Sequence, residues 1–278
     1  MPSSPSPAIM PCKGVLLLLM VGALVSACAP GTTRTSSGSE AAGALLVRDD
    51  VAYPLEKGIA TVQIDNAYGE INVRDHDRAE VGVHGVAQVP DAKMARARLV
   101  QTREGDILRL RVEMPDNTKG GRYDLAAYVP KDMPLILHGN SDRVDARKRV
   151  ASVTATTSSG KINASSQGQL ELSSTSGMIQ AIQLHENWIG ASRISSDSGR
   201  IIVVTPLSGN LSLSARTGGR LSTNFGLSVH PGDDGGRQAA ARYGSGTSKL
   251  DIVSRSGEVV LDQAVLLEED TASSDEDD

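Results

Sequence analysis

Apolar residues recur at every second position in short runs along most of this chain. Val62 and Ile64, Ile71 and Val73, and Val81 and Val83 come first. Ile162 and Ala164, Leu170 and Leu172, Ile201 and Val203, Leu211 and Leu213, Leu250 and Ile252, and Val259 and Leu261 follow. A period of two puts one set of side chains on one face of a β-strand and the next set on the other. Lys161, Asn163, Glu171, Ser212 and Asp251 are therefore expected to face outward. Strands are also expected over Ile107 to Val112, Tyr123 to Val129 and Leu135 to Leu137, with Pro130 and Pro134 marking the turn between the last two. One run breaks the pattern. Asp91 to Val100 (DAKMARARLV) is rich in helix formers behind Pro90-Asp91 and predicts a short flanking helix.

A recurrent turn phrase separates the runs between Thr157 and Leu261. Its copies are SSGKINA (Ser158–Ala164), TSGMIQA (Thr175–Ala181), DSGRIIV (Asp197–Val203), TGGRLST (Thr217–Thr223) and RSGEVVL (Arg255–Leu261). The turn glycines Gly160, Gly177, Gly199, Gly218 and Gly257 are 17, 22, 19 and 39 residues apart, the last interval about twice the others. Gly69, after Tyr68, holds the same place before Ile71. Half-copies GQLEL (Gly168–Leu172) and GNLSL (Gly209–Leu213) lie between, so each unit carries two short strands. A period near 20 is the mark of a stacked repeat. A lone strand cannot bury its apolar face, whereas copies stacked in register form a continuous aliphatic core. The expected fold class is all-β: a parallel β-solenoid of about 20-residue rungs with one short flanking helix, over residues 51–262. A β-sandwich would also alternate, but without so short a period. Aromatic residues make up only 3% of the chain, which suits a narrow core of aliphatic layers. Glycine is expected in the turns because it accepts positive φ, with Ser, Thr, Asn and Asp bonding the turn backbone.

These copies, with Tyr68-Gly69-Glu70-Ile71-Asn72-Val73 and the strand end Tyr128-Val129-Pro130, resemble the bacterial putative-adhesin domain family. The resemblance runs from about Gly58 to Leu261. It implies a β-solenoid at the cell envelope. The family usually carries an acidic residue after Ser-Gly, where this chain has Lys161, Met178 and Arg200.

The ends carry different signals. Gly14 to Val25 (GVLLLLMVGALV) is too short to span a membrane and suits the core of a signal peptide, here residues 1–27. Val25-Ser26-Ala27-Cys28 resembles the bacterial lipobox, which implies lipidation of Cys28 and cleavage before it. Two or more acyl chains anchor stably where one does not. In a Gram-negative cell the same resemblance implies that Ala29 permits export to the outer membrane. Cys12 falls in the removed segment, so the mature chain has no disulfide. Residues 28–50, rich in Gly, Ser, Thr and Ala, are expected to be a flexible tether. Nine acidic residues and no basic one lie between Glu258 and Asp278, so residues 263–278 are expected to be a disordered acidic tail.

No residues predict a cofactor. Asp75-His76-Asp77 could offer metal ligands, but neighbours on a strand point apart, and no metal site is expected. No basic, aromatic-interleaved patch for nucleic acid is present. Parallel β-helices also carry polysaccharide lyases and hydrolases, and Arg193, Asp197 and Arg200 are the candidate cluster for such chemistry. His185, Glu186, Asn187 and Trp188 swell one rung to 22 residues and predict a loop. Trp188 could stack on a sugar or tuck over a rung. Pro231 to Gly236 (PGDDGG) predicts a second loop.

The expected protein is lipid-anchored at the cell envelope, non-catalytic, and bound to the membrane through Cys28. It would bind envelope proteins or glycans, and a carbohydrate-active enzyme is the alternative. Cys28→Ala should abolish lipidation and either release the protein from membranes or leave an uncleaved precursor. Fractionation and mass spectrometry of the variant read this out, and normal maturation with full membrane binding would contradict the anchor.

Overall fold

A computed structural model describes residues 45–90, 95–116 and 120–264. The expected signal peptide, Cys28, most of the tether and residues 265–278 of the tail lie outside the described residues. The described chain is all-β. It runs β1 (Leu45–Pro54), β2 (Thr61–Asp65), β3 (Ile71–His76), β4 (Glu80–Val89), β5 (Arg98–Glu104), β6 (Ile107–Glu113) and β7 (Arg122–Pro130). Next come β8 (Leu135–His138), β9 (Val144–Arg149), β10 (Val153–Thr157), β11 (Ile162–Ser166), β12 (Leu170–Ser174), β13 (Ile179–Gln183), β14 (Gly190–Ser196) and β15 (Ile201–Thr205). The last are β16 (Leu211–Thr217), β17 (Leu221–Thr223), β18 (His230–Pro231), β19 (Arg237–Arg242), β20 (Ser248–Ser254) and β21 (Val259–Gln263).

Two large, mostly parallel sheets result. One has the order β1-β4-β7-β3-β9-β11-β13-β15-β21-β17, the other β18-β19-β16-β20-β14-β12-β10-β8-β2-β6-β5. In the middle, consecutive strands alternate between the sheets, and each pair stacks in register on the pair before it. Ile162 lies beside Ile179, Ile179 beside Ile201, and Val153 beside Leu170. The alternating residues read from the sequence form the core: Ile64, Ile71, Ile162, Leu170, Ile179, Ile201, Leu211 and Val259 are at most 1% exposed.

The stacking order departs from chain order at both ends. β2 and β3 lie between the tier of β6 and β7 and the tier of β8 and β9. β20 and β21 lie between the tier of β14 and β15 and that of β16 and β17. The 39-residue interval from Gly218 to Gly257 is thus filled by β17, the antiparallel β18–β19 excursion, and a return into the middle of the stack. Antiparallel strands cap the ends: β4 and β1 on β7, β5 on β6, and β19 on β16.

The turn glycines stack directly on one another. A Cβ on Gly177 would run into the carbonyl oxygen of Gly160, one on Gly199 into Gly177, and one on Gly257 into Gly199. None of these residues has positive φ, which corrects the expectation. Close backbone approach is what excludes a side chain. In the tier of β16 and β17 the turn is one residue shorter, and Gly219 sits over Ser256 and Gly257. In the tiers of β12 and β13, β14 and β15, and β20 and β21, the residue opening the turn is a buried serine that caps it. Gly177 N–H donates to Ser174 Oγ and Gly199 N–H to Ser196 Oγ, both at 2.8 Å, and Gly257 N–H to Ser254 Oγ at 2.9 Å. Asn66 fills this place in the tier of β2 and β3, donating to the Tyr123 carbonyl at 2.8 Å and accepting from Tyr68 N–H.

The opposite corner holds a second buried polar column: Arg149, Ser166, Gln183 and Thr205. Lys148, at φ 59°, and a register shift between β9 and β11 turn Arg149 inward. Its guanidinium donates to the carbonyls of Val129 (3.0 Å), Met133 (3.3 Å) and Pro130. Burial holds its pKa below the usual arginine value.

Two further expectations are corrected. The flanking helix over Asp91–Val100 does not form: Arg98 to Val100 belong to β5, paired antiparallel with β6, and 91–94 lie outside the described residues. Leu45 to Asp50, expected in the tether, belong to β1.

The stacking order is open to a direct test. Arg193 in β14 lies beside Asp251 in β20, and Asp251 beside Ser214 in β16. Adjacent strands are about 4.8 Å apart, so Arg193 and Ser214 are about 9.6 Å apart, beyond the roughly 7 Å limit for a disulfide. Oxidised Arg193→Cys/Asp251→Cys should cross-link within the chain and Arg193→Cys/Ser214→Cys should not. The reverse, read by peptide mass spectrometry, would restore chain order.

Candidate functional site

An open groove of about 820 Å³ crosses the outer face of the second sheet near the turn corner. Period-two alternation sets its floor, because residues between the buried positions point outward. Ser173 of β12, Ser195 of β14, Val253 of β20 and Arg216 of β16 lie side by side across four strands. The stacked turns form one side. The turn between β18 and β19 overhangs the groove with Gly232, Asp233 and Asp234. That PGDDGG loop closes on itself: Gly232 N–H donates to the Gly236 carbonyl, and Gly236 N–H donates to Asp234 Oδ1, both at 3.0 Å.

Three guanidiniums and three carboxylates line the groove. Arg255 Nη2 is 3.3 Å from Asp197 Oδ1, an exposed pair worth at most about 1 kcal/mol. Arg216, Arg237 and Asp233 form no ion pair among the described residues. The groove thus offers free donors, one free carboxylate and a row of hydroxyls. It can hold a polar ligand lying across the strands. No histidine stands among its lining residues to serve as a base.

The residues weighed for carbohydrate chemistry are not brought together. Asp197 lines the groove. Arg193 lies between Glu171 and Asp251 on neighbouring strands, and Arg200 pairs with Glu258 at 3.0 Å. Trp188 is tucked into the core at 4% exposure, while Ile189 beside it is 90% exposed. Both ring nitrogens of His76 are committed: Arg78 N–H donates to Nδ1 at 2.9 Å, so Nε2 carries the proton and donates to the Tyr128 carbonyl at 3.0 Å. Among the described residues no cluster of metal-ligating side chains forms. A smaller hollow of about 280 Å³ lies between His76, Glu80, His84 and Tyr128.

Gly69, Gly160, Gly177, Gly199 and Gly257 lie between the two strands of their tiers. Gly218 does so beside Gly219, which takes the stacked place. Sequence reasoning missed Arg216, Arg237 and Asp233. They reach the groove only because β20 inserts ahead of β16 and β19 folds back, and no spacing in the chain announces that.

No protein-family model matches the sequence, and no curated protein matches it either. A solved structure described as a putative cell adhesion protein from Clostridium sporogenes ATCC 15579 is similar, with a TM-score of 0.51 at 11% identity, over 79% of this chain and 100% of that one. A structure described as a putative adhesin from Bacteroides fragilis NCTC 9343 matches at 14% identity over 79% of this chain and 97% of its own, with a TM-score of 0.35. The chain therefore shares its fold with a bacterial putative cell adhesion protein, in line with the resemblance of its Ser-Gly repeat to the putative-adhesin family.

Proposed function

We propose that this chain is a non-catalytic binding protein of the cell envelope. In this reading its body is a single β-solenoid, anchored through lipid on Cys28, at the outer membrane if the cell is Gram-negative. The lipobox-like Val25-Ser26-Ala27-Cys28 supports the anchor. The groove carries the reading. It is open and polar, and Arg216, Arg237 and Asp233 lack ion-pair partners within it. Rows of hydroxyls with a few free charges match a hydroxyl-rich glycan, which presents donors and acceptors along its length. The likeness to a putative cell adhesion protein supports adhesion as the setting. The carbohydrate-active alternative has less to stand on, because Arg200 pairs with Glu258 and Arg193 is not among the residues that line the groove with Asp197.

Glycan-array binding with the full chain tests this. Removing one charged hydrogen bond costs about 1.5–3 kcal/mol, so Arg216→Ala or Arg237→Ala should weaken binding about 10- to 100-fold. Thermal stability should not change, since both side chains are exposed. Unchanged affinity in both variants would remove the groove from the account, and cleavage of the bound glycan would favour the enzyme.

A further inference from the structure

Each sheet ends in two edge strands, and three of the four are blunted. β18 is two residues long and includes Pro231. β17 is three residues long. β5 carries Arg98, Arg103 and Glu104, with Arg98 paired to Glu113 and Arg103 to Glu56. Short length, proline and charge are the usual protections of an edge against pairing with another chain. β1 is different. It is ten residues long and pairs with β4 throughout, from Leu45 beside Val89 to Pro54 beside Glu80. Among the described residues no strand pairs with its other edge. Leu45, Leu46 and Val51 are 45%, 60% and 40% exposed.

We propose that the free edge of β1 pairs antiparallel with β1 of a second copy, joining two first sheets into one across a two-fold axis at Asp49. A strand on its own two-fold axis is self-complementary only in certain registers. With the axis at Asp49, Arg48 of each copy faces Asp50 of the other, on the same face as Leu46 and Ala52. Val47 faces Val51, and Leu45 faces Tyr53. Asp49 meets its own copy, but each Asp49 is held by Arg96 of its own chain at 2.8 Å and accepts from the Tyr123 hydroxyl at 3.2 Å. Asp50 also meets His84 on the neighbouring strand, which keeps its carboxylate on the face where Arg48 arrives. Moving the axis one residue toward the C-terminus, to Asp50, sets Asp50 against Asp50, and moving it one residue toward the N-terminus, to Arg48, sets Arg48 against Arg48. Directly opposed like charges destabilise a pair of strands, and opposite charges stabilise it. The short alternation of apolar and charged residues thus selects a register and a partner: this same chain.

The test is sedimentation equilibrium of the full chain purified in mild detergent. The wild type should be a dimer. Arg48→Asp and Asp50→Arg each set like charges face to face across the axis and should raise the dimer dissociation constant about tenfold or more. The double variant Arg48→Asp/Asp50→Arg restores opposite charges and should restore the dimer. Circular dichroism checks that all four proteins are equally folded, and these side chains are exposed. A monomeric wild type would overturn the proposal, whether or not another polypeptide uses the edge. So would a dimer indifferent to the single reversals, or one that the double variant fails to recover.

Discussion

The carbonyl oxygen of each turn lies where the next tier's turn glycine would carry its Cβ. The rest of the architecture depends on this approach. It brings consecutive turns close enough for backbone bonds between them, such as Ser176 N–H to Ser158 O and Ser198 N–H to Thr175 O, both 2.9 Å. It also leaves the turn N–H groups in need of a local acceptor, and Ser174, Ser196 and Ser254 supply it from inside the corner. With the turns in register, the strands leaving them are in register too, and the aliphatic residues at every second position meet their counterparts above and below.

A stack held by local turn contacts does not require chain order. The segments that enter out of order carry a buried Ser or Asn, a glycine three residues on and two alternating runs. Ser254 and Gly257 do so between two earlier tiers, and β2 and β3 do so near the other end. The insertion also shapes the groove. It places Arg255 beside Asp197, and β16 with its antiparallel neighbour at the far side, so that Arg216, Arg237 and Asp233 surround one groove. The groove draws on segments from Thr157 to Arg255 without a contiguous motif.

The period-two runs and the Ser-Gly phrase were legible because each is a local pattern with one structural solution. The placement of Ile162, Leu170, Ile179 and Leu211 in the core follows from them. The role of the glycines was legible only in position, since close approach and positive φ favour the same residue. The segment before Glu104 was misread. Its Ala, Arg and Met residues favour a helix, but Leu99-Val100 and the open edge of β6 offer a ladder that overrides so weak a propensity. Arg149 at 0% exposure was not legible either, because its inward turn comes from the backbone of Lys148 and a register shift. The groove depends on tier order, which no spacing encodes.

The turn contact is tested most directly by adding one methyl group. Gly177→Ala would put a Cβ against the Gly160 carbonyl, and backbone on both sides leaves it nowhere to move. Overpacking of this kind costs about 1–3 kcal/mol or more. Gly82 is the control, since its added Cβ would meet only the Tyr128 Cβ at 3.6 Å, an ordinary contact. Denaturant unfolding of the full chain should show Gly177→Ala destabilised by at least about 2 kcal/mol relative to Gly82→Ala. Equal stability of the two variants would contradict the account.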